Sequence, residues 1–373
     1  MRGISRQAKL IPVRVFLVAA LSVVTLACTL ALFAAPTPAS LRLVARYPVS
    51  GEPTSPTDVR WAGENSVYLV RFEDGVAEVK LAPDLPVVRT LVPSHAVGHL
   101  ANYFWHVAAS DGILAFADRG MKLGWRPIQT SADRKVLFKM RHVGLTAGMD
   151  LRGDRLLLLG GGLNEDFDDK YDNEGGLAGF GKLTSDLQEL KPLRLDSEGR
   201  HSPHLYRCGR LDAGGARFLQ DGSMFIVPAV EPGAFLYDAE GTLLRSWTNA
   251  DLGVDDLCAG VTKDISKIFD GSAPKSRAWR SSHRVVDAVL PMPQGPAVIL
   301  RTMANGRPTW QLKVLGSRGT INYVIPVPDA GPNDRLTADA RGGRIVLLRR
   351  EQNLSLDDES TPGELLVMEL PGR

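Results

Sequence analysis

The stretch Asp58-Val59-Arg60-Trp61-Ala62-Gly63-Glu64-Asn65-Ser66-Val67-Tyr68-Leu69-Val70 holds the unit that decides the fold. A charged residue opens a short strand, a Gly- and Asn-bearing turn follows, and a strongly apolar strand closes the unit. It recurs at Asp150-Leu151-Arg152-Gly153-Asp154-Arg155-Leu156-Leu157-Leu158-Leu159. Further copies run from Arg217 to Val227, with Asp221-Gly222 at the turn, and from Asp339 to Leu348, with Gly342-Gly343 at the turn. Fainter copies begin at His106 and Asp287, so that six units start 48, 44, 67, 70 and 52 residues apart. A repeat of this length cannot bury its apolar strand alone and must stack on its neighbours.

Outward from these units, short apolar runs such as 75–81, 87–92, 297–302, 309–315 and 320–326 alternate with Gly, Pro, Asp and Asn. Many strand-length runs at this spacing mean an all-β sandwich, barrel or propeller. The repeat selects a six-bladed β-propeller over residues 41–373, since a four-stranded blade takes roughly 40–50 residues. A pair of three-unit sandwiches would need a linker near the middle, and no such stretch occurs. The two long intervals must then hold insertions, at 160–176 and 249–282. Within the second, Val254, Leu257, Cys258, Val261, Ile265 and Ile268 follow helical spacing, which predicts one inserted helix over 254–269. Apolar runs at 41–47 and 364–370 are expected to share one blade and close the ring, because an open ring would expose its edges.

Ser55-Pro56-Thr57-Asp58-Val59, Asp221-Gly222-Ser223 and Tyr237-Asp238-Ala239-Glu240-Gly241 resemble blade and turn sequences of six-bladed propellers. The groups they resemble are the NHL-repeat, gluconolactonase-like and TolB-like proteins. The resemblance is at blade level, covers about residues 41–373, and selects none of these families. Gluconolactonase-like enzymes hold a metal with a Glu, Asn and Asp set. That set has no matched positions here, so their activity is not implied.

The first 40 residues read differently from the rest. Arg2, Arg6, Lys9 and Arg14 precede a run from Val15 to Ala35 in which every residue is apolar or small and uncharged. A basic segment followed by such a run is a signal peptide or an N-terminal membrane anchor. Thr37-Pro38-Ala39 offers a cleavage site before Ser40. Basic residues ahead of the run predict a cytoplasmic N-terminus and an exported body, periplasmic or extracellular, held in the inner membrane if the segment stays uncleaved. Of the 44 Lys and Arg residues four lie in this segment, which has no acid, so the overall +2 becomes −2 in the body. No basic stripe points to nucleic acid. Export allows a disulfide between Cys208 and Cys258, the two cysteines of the body.

The repeat register also supplies the first candidate site. Its equivalent positions are Asp58, His106, Asp150, Arg217, Asp287 and Asp339. On innermost strands they would ring the central channel. There they would either bind a cation or polar ligand, or accept backbone N–H bonds within and between blades. A second candidate is the acidic stretch holding Glu165, Asp166, Asp168, Asp169, Asp172, Asn173 and Glu174. Such oxygen ligands suit Ca²⁺, although Lys170 interrupts the alternation of a helix–loop–helix calcium site. His95/His99 and His201/His204 have metal-compatible spacings without further ligand signals, and Ser272–Lys275 matches S-x-x-K by letters only, with Pro274 opposing a helix. No nucleophile or phosphate-loop motif occurs, so no residue is assigned to catalysis. Most of the six tryptophans are expected to pack between blades. The expected role is a binding scaffold for a protein partner or a small polar ligand. The alternative is a metal-dependent hydrolase or lactonase with its ion in the channel.

Overall fold

Each repeat unit forms the two innermost strands of a small sheet. The computed structural model describes residues 38–49, 56–71, 75–93, 104–118, 123–128, 145–162, 178–183, 190–193, 214–228, 233–255, 283–317, 319–351 and 363–372. After β1 (Ala39–Ser40) and β2 (Arg42–Val49), the first blade comprises β3 (Pro56–Trp61), β4 (Ser66–Arg71), β5 (Gly75–Lys80) and β6 (Val87–Pro93). The second comprises β7 (Phe104–Ser110), β8 (Ile113–Asp118) and β9 (Leu123–Pro127). The third is β10 (Leu145–Arg152), β11 (Arg155–Gly162), β12 (Ala178–Lys182) and β13 (Lys191–Leu193). The fourth is β14 (Gly215–Phe218), β15 (Met224–Val227), β16 (Ala234–Tyr237) and β17 (Leu243–Trp247). The fifth is β18 (Val285–Met292), β19 (Gly295–Ala304), β20 (Arg307–Gly316) and β21 (Gly319–Ile325), with β1 added in parallel at its edge. The last joins β22 (Asp334–Arg341), β23 (Arg344–Glu351) and β24 (Gly363–Glu369) to β2.

The protein is a β-propeller. The innermost strands β3, β7, β10, β14, β18 and β22 neighbour one another in that order, and β22 returns to β3. Six complete blades were expected. Five sheets have four or more strands, so the count of complete blades is five, and β7–β9 fill the remaining sector with three strands among the described residues. The repeat covers only the inner strands, where both faces are buried and the apolar pattern is strong. It therefore counts sectors rather than complete blades.

Ring closure runs as expected from the apolar runs at the two ends. β2 pairs antiparallel with β24, Tyr47 opposite Leu365 and Arg42 opposite Glu369. The core lies between blades, sheet face on sheet face. Met149, Leu157, Phe218 and Tyr237 pack in one such cluster, and Leu290, Trp310, Leu347 and Leu366 in another. Trp61, Trp247 and Trp310 are buried in these layers. Two inner-strand glycines set how closely the blades approach. A Cβ on Gly148 would lie 2.9 Å from the Ala216 nitrogen, and one on Gly215 would lie 2.7 Å from Val289 Cγ2. The only helix among the described residues is α1 (Asn249–Leu252). Thr248 and Asp251 cap its start reciprocally, and Gly253 ends it at φ 80°. The helix expected from Val254 does not begin there, because Gly253 in its left-handed conformation breaks the turn and Val254 and Asp255 follow it without helical structure. The remainder, 256–269, lies outside the described residues. No described helix is long and apolar enough to cross a membrane.

Candidate functional site

The six register positions all fall on the innermost strands. Asp58 on β3 is buried, and its Oδ1 accepts the Val59 amide at 2.9 Å and an Arg60 N–H at 3.1 Å. Its Oδ2 lies 3.3 Å from His106 Nδ1 and accepts the Val107 amide at 3.3 Å. Burial alone would raise this carboxyl. Arg60 and His106 outweigh burial and bring it down to about 2. Asp150 Oδ2 accepts the Phe218 amide at 2.8 Å, and Asp339 Oδ2 accepts the Trp61 amide at 2.9 Å. Burial pushes Asp150 upward, against the pull of Arg217 and Arg60.

Two buried arginines cross the ring at this level. Arg60 donates to Met149 O at 3.3 Å and to Ala338 O at 3.4 Å. Arg217 on β14 donates to Met149 O at 3.4 Å and to Ala338 O at 3.0 Å. Arg60 thus reaches from β3 to β10, past β7, and Arg217 from β14 to β22, past β18. Burial, and then the charge of Arg60, lower the pKa of Arg217. Asp58, His106, Asp150, Arg217 and Asp339 therefore belong to one hub, with Arg60 at its centre. The Asp-x-Arg of Asp58/Arg60 recurs at Asp150/Arg152 and Asp339/Arg341, but Arg152 bonds Leu219 O instead, so the pattern does not single out Arg60.

Asp287 belongs to a different cluster. Its Oδ2 accepts the Trp310 Nε1–H at 2.8 Å and the Leu336 amide at 3.2 Å. Its Oδ1 accepts Arg335 Nε at 3.1 Å and Arg301 Nε at 3.3 Å. Nearby, Arg350 is brought down to about 10 by burial and by Arg335. Asp287 faces the next inner strand as the other three aspartates do, but it meets β22 at Leu336, ahead of Ala338 and Asp339 where that strand joins the hub, and so lies at a different level along the channel.

All four aspartates accept the amide of a neighbouring inner strand, so each fastens one seam between blades. Among the described residues no three His, Cys, Asp or Glu side chains converge. The acidic stretch 165–174, Cys208 and Cys258, His95/His99, His201/His204 and Ser272–Lys275 lie outside the described residues.

The two ends of the channel differ. Adjacent inner strands run in the same direction where their contacts can be followed. Gly148 and Asp150 meet Ala216 and Phe218, and Arg60 and Trp61 meet Ala338 and Asp339. Each sheet is then a meander that begins at the channel. At the end where the inner strands finish, the links are short. They include 111–112, 153–154, 219–223, 293–294 and 342–343, and the longest that both leaves and re-enters at this end is 183–190. At the end where the inner strands begin, the connections are 94–103, 163–177, 194–214, 248–284 and 352–362. These five attach at this end, whereas 128–144 leaves β9, the third strand of a three-stranded sheet, at the other end and enters β10 at this one.

No family model matches this chain, and no curated protein matches it significantly. Solved structures with a similar arrangement exist. A streptogramin B lyase is 11% identical at a TM-score of 0.48, with 88% of this chain and 98% of that chain covered. YCF48 from Cyanidioschyzon merolae is 8% identical at a TM-score of 0.47, covering 88% and 100%. A chain of the mitotic checkpoint complex is 11% identical at a TM-score of 0.46, covering 86% and 76%.

Proposed function

We propose that the chain is an exported binding scaffold which engages a protein partner through the face where its inner strands begin. The observation that carries this reading is the segregation of connections. Five long connections, 94–103, 163–177, 194–214, 248–284 and 352–362, attach at one end, and the other end has short links and the start of 128–144. Loops held by a rigid sheet framework are where recognition residues accumulate. The channel centre supports the same reading from the opposite side. Arg60 and Arg217 span it, and the aspartates beside them are engaged with backbone amides. A channel metal, as the hydrolase alternative requires, would have to compete with Arg217 and Arg60 for the charge of Asp150. Export rests on the basic segment and apolar run of residues 2–35.

Photo-cross-linking in the native host tests the reading. A photoreactive residue at Ala250 or Asn305 reports on the long-connection face, and one at Glu64 or Glu240 reports on the short-turn face; all four are exposed. A protein adduct is expected from the first pair, lost when 163–177 is replaced by a Gly-Ser link. Adducts from the second pair alone, or from neither, would overturn it. A stoichiometric metal ion in the purified chain, lost in Asp150→Ala and Asp339→Ala, would favour the hydrolase instead.

A further inference from the structure

The crossover from the fourth blade to the fifth closes on itself. β17 leaves the outer edge of the fourth blade at Trp247, and β18 starts at the channel with Val285, so the chain must step inward between them. It does so through 248–255, the segment 256–282 and 283–284. The two ends of 256–282 meet. Asp255 donates its amide to Arg284 O at 3.1 Å, and Arg284 donates its own to Asp255 Oδ2 at 2.7 Å. The Arg284 guanidinium lies 3.4 Å from Asp255 Oδ1. The chain thus departs and returns at one point, one residue before the inner strand begins.

The residues leading to this point are fastened to both blades. Trp247 and Leu252 are buried between Phe225 and Val227 of the fourth blade and Val286 and Val298 of the fifth, and Val254 packs against the same layer. Asn249 Oδ1 accepts the Gly233 amide of the fourth blade at 2.7 Å. Lys313 on β20 of the fifth blade donates to Asp251 O and, at 2.8 Å, to Leu252 O, which end α1. Every step inward is therefore held by 248–255, 283–284 and the blades. The crossover from β21 to β22 makes the same step with 326–333 alone. Insertions are tolerated where the flanking backbone keeps its burial and hydrogen bonds. From the meeting of Asp255 with Arg284 and the pinning of α1, we infer that 248–255 and 283–284 form a clasp complete in itself. The segment 256–282 is then an insertion that the ring does not need in order to fold. Rearrangement or exchange of that segment is absorbed at the clasp and does not reach β18. The insertion expected at 249–282 narrows accordingly to 256–282. This inference stands apart from the partner reading, and its failure would leave that reading untouched.

The test replaces 256–282 in the full chain in two ways. One chain carries Gly-Gly, which leaves three residues between Asp255 and Arg284, a hairpin length. The other carries a Gly-Ser run as long as the native segment, so that a strained short link cannot decide the outcome. Thermal unfolding is followed with reductant present, so that Cys258 of the unaltered chain counts as a thiol. At least one replaced chain is expected to unfold cooperatively within about 5 °C of the unaltered chain, a shift worth one or two kcal/mol at this size. A larger fall in both, or no cooperative transition in either, would overturn the inference. Lys313→Met then removes the donor at the end of α1. It is expected to lower the midpoint equally with and without 256–282. A loss seen only when the native segment is present would mean that the segment, and not the clasp, holds the crossover.

Discussion

Asp150 and Asp287 sit on corresponding inner strands, and each accepts the amide of the next inner strand, Phe218 at 2.8 Å for the first and Leu336 at 3.2 Å for the second. Their surroundings diverge from there. Asp287 also gathers the Trp310 indole N–H and the Nε atoms of Arg301 and Arg335. Asp150 has charge attraction from Arg217 and Arg60 without a direct bond to either, and burial pushes its carboxyl upward. The difference shows that a repeated aspartate fastens the blade seam in both places. Its level along the strand decides whether it also meets a buried arginine cluster.

The sharpest way to break this comparison is to remove the richer latch. Asp287→Ala leaves two guanidiniums and an indole N–H buried without their shared acceptor. It is expected to cost about 3–5 kcal/mol in urea unfolding. If that chain does not fold, Trp310→Phe removes one donor and is expected to cost about 1 kcal/mol. A cost well under that for both changes would mean that the latch does not hold the seam.

Asp58 and Asp150 sharpen the comparison through pH. The folded Asp58 carboxyl, at about 2, lies below its ordinary value of 3.8. Its contribution is therefore complete above the unfolded value and lost as pH falls through about 2. Asp58→Asn is expected to cost about 2 kcal/mol at neutral pH, and progressively less as the medium is acidified toward pH 2. Asp150 has the opposite sign. A raised carboxyl favours the folded state when protonated, so stability drains as pH rises past its unfolded value. Asp150→Asn, whose carbonyl can still accept the Phe218 amide, is expected to be neutral or stabilising at pH 7. Equal costs at both sites would erase the electrostatic distinction between them.

The seam can also be probed without charge. Gly215→Ala places a Cβ 2.7 Å from Val289 Cγ2. The fourth and fifth blades must then part, at an expected cost of about 1–3 kcal/mol by thermal or urea unfolding. A neutral result would show that this seam is slack.

Much of the architecture could be read from the repeat. Its six register residues all lie on inner strands, and the apolar ends at 41–47 and 364–370 do share a blade. This is legible because inner strands are buried on both faces and write long apolar runs. Outer strands such as β17, exposed along most of its length, write little. The site was less legible. Aligning Asp287 with the other aspartates assumes a common level along the channel, and the level at which one strand meets the next leaves no sequence signature. Arg60 was hidden differently. Its partners, Met149 O and Ala338 O, are backbone atoms of strands 89 and 278 residues away. No local pattern records an acceptor that any side chain could have supplied. Where the long connections attach is not legible in any single insertion, because it follows from the number of strands between them.

The smallest effect is expected where the ring closes on the outside. Glu369 on β24 takes Arg42 of β2 across the closing pair, with the two side chains 28% and 69% exposed, and Arg344 stands 3.8 Å away. This carboxylate joins β2 to the last strand of the fold, as Asp339 joins the last blade to the first at the channel. It does so in water. Solvent screens the charges, and holding two long side chains together costs rotamer freedom, so Glu369→Gln is expected to change stability by about 0–1 kcal/mol and less still in high salt. The backbone ladder from Arg42/Glu369 to Val49/Gly363 carries the closure instead. Unfolding Glu369→Gln beside Asp287→Ala in the same urea series is the measurement. A rim substitution as costly as the inner one would mean that the propeller is held shut from its edge rather than from its hub.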